Sequence, residues 1–140
     1  MERQKTENKK IEIKKIRNFE DLEVYKLARE FRKRIYQLAR KLPKDEKYNL
    51  SGQMKRAAVS LTNNIAEGYG RYHFQENIQF CRQSRGSLYE LIDDLNVCID
   101  ESYIPEDEYH SYREDAFHLL KVLNGYIART KELQRECLIK

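Results

Sequence analysis

The sequence predicts an all-α protein, an elongated antiparallel up-down-up-down four-helix bundle with a flexible basic N-terminal tail. Apolar residues recur every three or four positions in four long segments, which is the spacing of one helix face. The 140 residues include only five Gly and two Pro, and 36% are charged, a composition typical of long helices. Short connections make consecutive helices antiparallel neighbours. We expect one domain, residues 18–140, preceded by a tail, residues 1–17.

The tail carries the whole excess of positive charge. Residues 1–17 contain seven Lys or Arg and three Glu, whereas the remainder contains 20 residues of each sign. So basic a segment with so few apolar residues is expected to be disordered or to order on binding. It is either a solubilising tail or a basic arm for nucleic acid. In the second case, the cations expected to contact nucleic acid are Lys9, Lys10, Lys14, Lys15 and Arg17.

Helix 1 is predicted over residues 21–42. Asn18 and Asp21 are both suitable N-terminal caps. Pro43 ends the helix, because the residue before a proline is pushed out of the α region. Its apolar face consists of Val24, Ala28, Phe31, Ile35, Leu38 and Leu42.

Helix 2 is predicted over residues 49–67. Gly68 and Gly70 are expected to stop it, because glycine adopts the left-handed conformation of a C-terminal cap. Its apolar face consists of Leu50, Met54, Ala57, Ala58, Leu61 and Ile65.

A polar stripe runs beside this apolar face of helix 2. It is formed by Arg56, Ser60, Asn64 and Glu67. Arg56 and Glu67 are too far apart along one helix to pair, so each needs a partner elsewhere. The stripe is either a buried hydrogen-bond network that fixes helix register or part of a subunit interface.

Helix 3 is predicted over residues 74–101. Its apolar face consists of Phe74, Ile78, Cys81, Leu88, Ile92, Leu95 and Ile99, a series that Arg85 interrupts. A second face, wider than a lone bundle needs, consists of Phe80, Ser84, Ser87, Leu91 and Cys98. We expect Ser84, Arg85 and Ser87 to join the stripe of helix 2 in an oligomer interface.

Helix 4 is predicted to begin at Pro105, where a missing N–H does no harm. Glu106, Asp107 and Glu108 then lie at the positive end of the helix dipole. Its apolar face consists of Tyr109, Tyr112, Ala116, Leu119, Leu123, Tyr126, Thr130, Leu133 and Cys137.

The predicted topology separates charge between the two ends of the bundle. The end with the 1–2 and 3–4 connections collects acidic residues, including Asp93, Asp94 and Asp100. The other end carries the basic tail and the turn between helices 2 and 3, and we expect it to be electropositive. In that turn, Arg71, Tyr72 and His73 could meet phosphates and stack on bases. Alternatively, the aromatic residues simply cover the end of the bundle.

Several segments together resemble the bacterial four-helix-bundle proteins that are encoded inside intervening sequences of 23S ribosomal RNA genes. The segments are Phe19-Glu-Asp-Leu-Glu-Val-Tyr25, Ile35-Tyr36, Pro43 with Glu46, Leu50-Ser-Gly-Gln-Met-Lys-Arg-Ala-Ala-Val-Ser60, Asn64-Ile-Ala-Glu-Gly68 with Arg71, and Arg85-Gly-Ser-Leu-Tyr-Glu-Leu91. The resemblance is close over residues 19–104. The Lys-rich tail lies outside it, and residues 72–74 depart from the Ser- and Asp-containing start of helix 3 in that family.

The resemblance implies a homo-oligomeric ring, usually a pentamer. It also implies a relationship to accessory proteins of diversity-generating retroelements, which bind a reverse transcriptase and nucleic acid. We therefore expect a non-enzymatic scaffold that binds RNA, ribosomal RNA first, through its basic end. The alternative is a ring that docks a ribonucleoprotein or reverse-transcriptase partner and touches nucleic acid little.

Enzymatic and metal-dependent functions find weaker support in the sequence. Arg113 and His118 have the Arg-x4-His spacing of HEPN-type ribonucleases, but adjacent acidic residues would repel a phosphodiester. No paired Glu-x-x-His motif is present for a di-iron centre. We expect no cofactor, no metal and no catalytic residue.

Location and redox state follow from composition. No apolar run approaches the ~20 residues of a membrane span, and the N-terminus lacks the apolar region of a secretory signal. We expect a cytoplasmic protein without a membrane partner. Cys81, Cys98 and Cys137 form no CxxC motif, so they are interpreted as small apolar residues in a reducing compartment.

Overall fold

The computed structural model describes residues 16–139, with side chains described for residues 16–138. Two short 3-10 helices, Phe19–Asp21 and Lys44–Glu46, precede α1 and α2 respectively, and no strand occurs in residues 16–139. The four long helices are α1 (Glu23–Lys41), α2 (Leu50–Gly70), α3 (Phe74–Asp100) and α4 (Glu106–Ile139). The all-α prediction is confirmed. Four of the predicted tail cations, Lys9, Lys10, Lys14 and Lys15, lie outside the described residues.

The helices form the predicted antiparallel bundle. Each helix packs on the next and α1 also packs on α4, whereas the diagonal pairs α1–α3 and α2–α4 make no close backbone contact within the described residues. α3 has 27 residues and α4 has 34. At 1.5 Å per residue these helices are about 40 and 50 Å long, so the body is elongated.

The predicted apolar faces form one continuous core. Among the most deeply buried side chains are Ile35, Met54, Leu61, Leu88 and Leu123. Most exceptions lie near the ends of the long helices: Phe74, Ile99, Tyr109 and Leu133 are half-buried and Cys137 is exposed. Tyr126 is half-buried because it lines a cleft.

The start of α1 differs from the prediction because a separate 3-10 helix precedes it. Asn18 and Asp21 form a reciprocal capping box on the 3-10 helix Phe19–Asp21 and not on α1 itself. α1 then begins at Glu23, after Leu22 in an extended conformation. At its other end Leu42 is also extended, as expected for the residue before Pro43.

The end of α2 corrects the prediction that Gly68 and Gly70 stop the helix. The helix continues through Gly70, and neither glycine has a positive φ. The residue in the left-handed region is Tyr72, with φ 53°. The glycine therefore does not supply the turn conformation here.

Gly68 is instead required by the close approach of α3. A Cβ atom at this position would lie 2.8 Å from Asn77 Oδ1 and 2.9 Å from Phe80 Cβ. Only a residue without a side chain allows the two backbones to come this close.

α3 begins with a histidine cap, in place of the Ser or Asp start from which the sequence departs. His73 is extended, and its Nδ1 accepts a hydrogen bond from the backbone N–H of Glu76 at 3.4 Å. His73 thus satisfies one of the N–H groups that a helix N-terminus leaves free.

The acidic end contains one carboxyl group that is not on the surface. Asp94 is only 6% exposed, and its Oδ2 has no hydrogen-bond partner in the described structure. Burial raises its pKa to about 6, and the nearby charges of Glu90 and Asp93 contribute to this rise. Asp94 is therefore a core residue and not part of the surface acidic cluster.

The interpretation of the cysteines as apolar residues is correct for two of the three. Cys81 and Cys98 are buried free thiols, and burial raises the pKa of each to about 12. A thiol held protonated in this way is unreactive. Cys137 is exposed, because α4 there runs past the helices that would cover it.

Candidate nucleic-acid interface

An aromatic cleft lies at the end of the bundle where α2 turns into α3. Its volume is about 390 Å³, and most of its lining is apolar. α2, the turn, α3, α4 and the residue before α1 all contribute to it. The lining residues are Leu22, Gly68, Tyr69, Tyr72, His73, Phe74, Asn77, Tyr126, Arg129, Thr130 and Leu133. We call this the turn cleft.

Tyr72 is the most accessible aromatic residue of the turn cleft. Its left-handed backbone places it at the tip of the turn, where the residue is 88% exposed. Its ring centroid is 6.3 Å from that of Tyr69, at an interplanar angle of 55°. Two tilted rings leave one face of Tyr72 open, which is the geometry on which an unpaired base can stack.

The two arginines beside the cleft are both paired with carboxylates. Arg71 Nη2 lies 3.1 Å from Glu67 Oε1, and its guanidinium lies 5.2 Å from the centre of the Phe80 ring. Arg129 Nη1 lies 3.1 Å from Glu132 Oε2. These pairs are exposed and therefore weak, so a phosphate could displace the carboxylates.

Tyr126 lies in the wall of the turn cleft. Its hydroxyl accepts a hydrogen bond from Asn77 Nδ2 at 3.1 Å. Burial raises the pKa of Tyr126, with only a partly opposing effect from the Asn77 hydrogen bond. The phenol stays neutral at physiological pH and contributes no negative charge to the cleft.

Only part of the polar stripe of α2 forms hydrogen bonds within a network. Asn64 Nδ2 donates to the backbone oxygen of Ser60 at 2.9 Å and to its hydroxyl at 3.0 Å. Ser87 Oγ on α3 donates to Ser60 Oγ at 3.0 Å. These three half-buried residues form a network within one subunit, so the first interpretation of the stripe applies to Ser60 and Asn64 only.

The other members of the predicted interface do not join this network. Glu67 pairs with Arg71, and Arg56 is exposed without a hydrogen bond or ion pair to any residue of 16–138. Arg85 points towards α4, where its Nη1 donates to Asn124 Oδ1 at 2.9 Å. On α3, Ser87 therefore faces α2 whereas Arg85 faces α4.

The prediction that Ser84 lies in an oligomer interface is wrong. Ser84 is fully buried, and its Oγ donates to the backbone oxygen of Leu61 on α2 at 2.6 Å. Leu91 and Cys98 of the same face are buried as well. Most of the second face of α3 therefore belongs to the core of the subunit, while Phe80 and Ser87 are half-buried.

A different surface, which the sequence analysis missed, is left without a partner on α2. Gly52, Arg56, Val59, Asn63, Ala66 and Gly70 follow one another at intervals of four and three residues and are half-buried or exposed. We call this the outer face of α2. Its spacing is that of a helix-packing stripe. The available signal was that three of its six residues, Gly52, Ala66 and Gly70, are small.

The candidate ribonuclease residues lie on different sides of α4. Arg113 Nη1 donates to Asn96 Oδ1 on α3 at 3.3 Å. His118 lines a cleft between α1 and α4, next to Arg34 and Asp115, which form an ion pair. The arrangement does not bring the arginine and the histidine to one common point.

Within the described part of the chain, no three His, Cys, Asp or Glu side chains are grouped so that they could hold a metal ion. No helix between residues 16 and 139 combines the length and the apolar character needed to cross a membrane.

Comparison with known proteins identifies relatives over most of the bundle. A family model described as "23S rRNA-intervening sequence protein" matches residues 20–125. The chain is also similar to a crystal structure of a protein of unknown function from the S23 ribosomal protein family of Bacteroides thetaiotaomicron. The two share 25% identity with a TM-score of 0.69, over 75% of this chain and 95% of that one. No curated protein matches the chain.

Proposed function

Because the chain belongs to the 23S rRNA-intervening sequence protein family, we propose that it is a non-enzymatic, homo-oligomeric scaffold that binds RNA at its turn-cleft end. The observation that carries the RNA part of this proposal is the turn cleft. It places an exposed tyrosine and several other aromatic residues at the same end of the bundle as the start of α1.

Two kinds of contact with RNA would act together at this end. Aromatic rings stack on unpaired bases without strong sequence preference, at roughly 1–3 kcal/mol per base. Cations of the chain preceding α1 would contact the phosphates. Arg17 lies next to the 3-10 helix that precedes α1, and its side chain is exposed. Stacking and charge therefore complement each other.

Homo-oligomerisation, with a pentameric ring as the expected size, is supported by the outer face of α2. Gly52, Ala66 and Gly70 have little or no side chain, so another helix can approach this face closely, and three of its six residues are exposed in the single chain. In a ring the weak RNA contacts of each subunit would be repeated at fixed spacing. Linked weak sites gain avidity without any new contact.

A second candidate function is a ring that docks a ribonucleoprotein or reverse-transcriptase partner and makes little contact with nucleic acid. The observation that favours it is the pairing of Arg71 and Arg129 with carboxylates, which reduces the positive charge of the turn-cleft end. In that case RNA affinity would be low, and it would depend little on the tail.

Replacing Tyr72 with alanine tests the stacking role of the turn cleft. We expect Tyr72→Ala to weaken binding of a labelled single-stranded RNA about 5- to 100-fold, because one base loses its stacking partner. The measurement is a fluorescence anisotropy titration. Tyr48→Ala is the matched control, since Tyr48 is 89% exposed, as Tyr72 is, but lies at the opposite end of the bundle. Equal affinities of the two variants would contradict the proposal.

A further inference from the structure

Two adjoining clefts follow the junction of α1 and α2, away from the turn cleft. They share Tyr36, which lines both of them. The first has a volume of about 430 Å³ and the second of about 250 Å³. Together their lining residues are Arg32, Lys33, Tyr36, Gln37, Arg40, Lys55, Arg56, Val59, Ser60, Asn63 and Asn64. We call this surface the basic groove.

The basic groove has five cations and no carboxylate among its lining residues. One of the five, Lys33, pairs with Glu30 at 3.1 Å. Arg40, Lys55 and Arg56 have no ion-pair partner among the side chains of residues 16–138. A protein whose charge outside residues 1–17 is balanced therefore has one surface where positive charge is left uncompensated.

The cations are arranged around a fixed centre. Arg40 Cζ lies 5.8 Å and Lys55 Nζ 5.7 Å from the centre of the Tyr36 ring, one from each helix. Arg32 is anchored at one side because its Nη1 donates to Thr62 Oγ1 at 2.9 Å. Anchoring of this kind lowers the entropy that a bound anion would have to remove from the side chains.

We propose that the basic groove is a second RNA-contact surface, which holds the phosphodiester backbone of a strand along α1. The cations from Arg32 to Arg40 extend about 12 Å along the helix, so they match an extended polyanion better than a single phosphate. Phosphate contacts of this kind supply affinity without reading sequence. The amide group of Gln37 lies among the cations and can donate to sugar or base oxygens.

The α1 side of the groove stays accessible in the proposed oligomer, whereas Arg56, Val59 and Asn63 also belong to the outer face of α2 and would be covered. Arg32, Lys33, Gln37 and Arg40 belong to α1, so covering the outer face of α2 leaves that side of the groove open. The identity of the polyanion as RNA rests on the proposed function, whereas the groove itself rests on charge and geometry.

The test is to remove the two cations over Tyr36 and compare affinity with a charge-matched control. We expect Arg40→Gln/Lys55→Gln to weaken binding of a labelled 20-nucleotide single-stranded RNA about tenfold. The dependence of log affinity on log salt should become shallower by about 1.4, at ~0.7 per lost phosphate contact. Arg82→Gln/Lys121→Gln removes the same charge from exposed positions on α3 and α4, and its affinity should change less than about twofold.

Each result has a definite meaning. Equal losses in both double variants would overturn the groove, because net charge alone would explain binding. An unchanged groove variant alongside a weakened chain starting at Asn18 would overturn the groove and leave the proposed function standing. No RNA binding by the wild-type chain would overturn both. Polyglutamate that competes as well as RNA of equal charge would also overturn the groove. Light scattering of each variant must show the wild-type mass, so that assembly is not the cause.

Discussion

Gly68 and Gly70 lie two residues apart in one helix but have opposite packing requirements. A Cβ atom added to the buried Gly68 would lie less than 3 Å from atoms of α3, whereas nothing lies within 4 Å of one added to Gly70. The sequence assigned both glycines to helix termination. It could not separate them, because the distinction depends on how closely a second helix approaches.

We expect Gly68→Ala to destabilise the fold by about 1–3 kcal/mol, because the added methyl group forces α2 and α3 apart. Gly70→Ala should be neutral or stabilise it by up to about 1 kcal/mol, since alanine favours the helix and meets no neighbour. Urea unfolding followed by circular dichroism measures both changes. A Gly68→Ala variant as stable as the wild type would show that the close approach is not tight.

Asp94 makes stability depend on pH in an uncommon direction. Its pKa is raised from 3.8 to about 6 in the folded chain, first by burial. The folded state therefore binds this proton more tightly than the unfolded state. Its contribution to stability is complete below about pH 4 and is lost as pH rises through 6.

Asp94→Asn should remove this pH dependence, because the amide carries no charge at any pH. We expect the variant to be more stable than the wild type at pH 8 and to lose less stability between pH 4 and 8. The measurement is the free energy of unfolding across that range. Asp93→Asn is the control, since Asp93 is exposed on the same turn of α3. Parallel profiles for Asp94→Asn and wild type would contradict the assignment.

At the scale of the helices, periodicity predicted which faces are buried but not what satisfies the polar groups among them. The apolar faces of α1, α3 and α4 are buried as predicted over most of their length. Ser84 was predicted at an interface because it belongs to a second face of helix 3 that is wider than a lone bundle needs. It lies in the core because a carbonyl oxygen of α2 accepts its hydrogen bond, and a sequence does not show which backbone oxygen will be near.

The proposed role of the outer face of α2 in oligomerisation can be tested by placing a charge on it. We expect Val59→Glu to reduce a larger assembly to the 16.9-kDa monomer, because a carboxylate cannot be buried between subunits without a partner. Val59 is only half-buried in the single chain, so a glutamate there can reach solvent and the subunit should stay folded. Size-exclusion chromatography with light scattering measures the mass.

Gln79→Glu provides the control for this experiment, because Gln79 is an exposed residue of α3 outside the outer face of α2. Its mass should equal that of the wild type. If Val59→Glu also keeps the wild-type mass, another surface holds the subunits together. A monomeric wild-type protein would contradict the proposed oligomer itself.

At the scale of the whole molecule, acidic and basic residues occupy different parts of the bundle. Charge outside residues 1–17 is balanced in number, yet it is uneven in space. Acidic residues surround the start of α4, while uncompensated cations lie in the basic groove between α1 and α2. The charge count of residues 1–17 predicted the basic tail, and the predicted topology placed the acidic residues at one end of the bundle. The sequence did not predict the groove, because that surface requires two helices placed side by side.

The central claim, that the turn-cleft end and the tail bind RNA, is tested most directly by one titration. Labelled 23S-derived RNA is titrated with the full chain and with a chain starting at Asn18, at low and at moderate salt. We expect affinity to fall steeply with salt and to drop when residues 1–17 are removed, because phosphate contacts release counterions. Absent binding, or binding insensitive to both salt and the tail, would contradict the account and favour a ring that docks a protein partner.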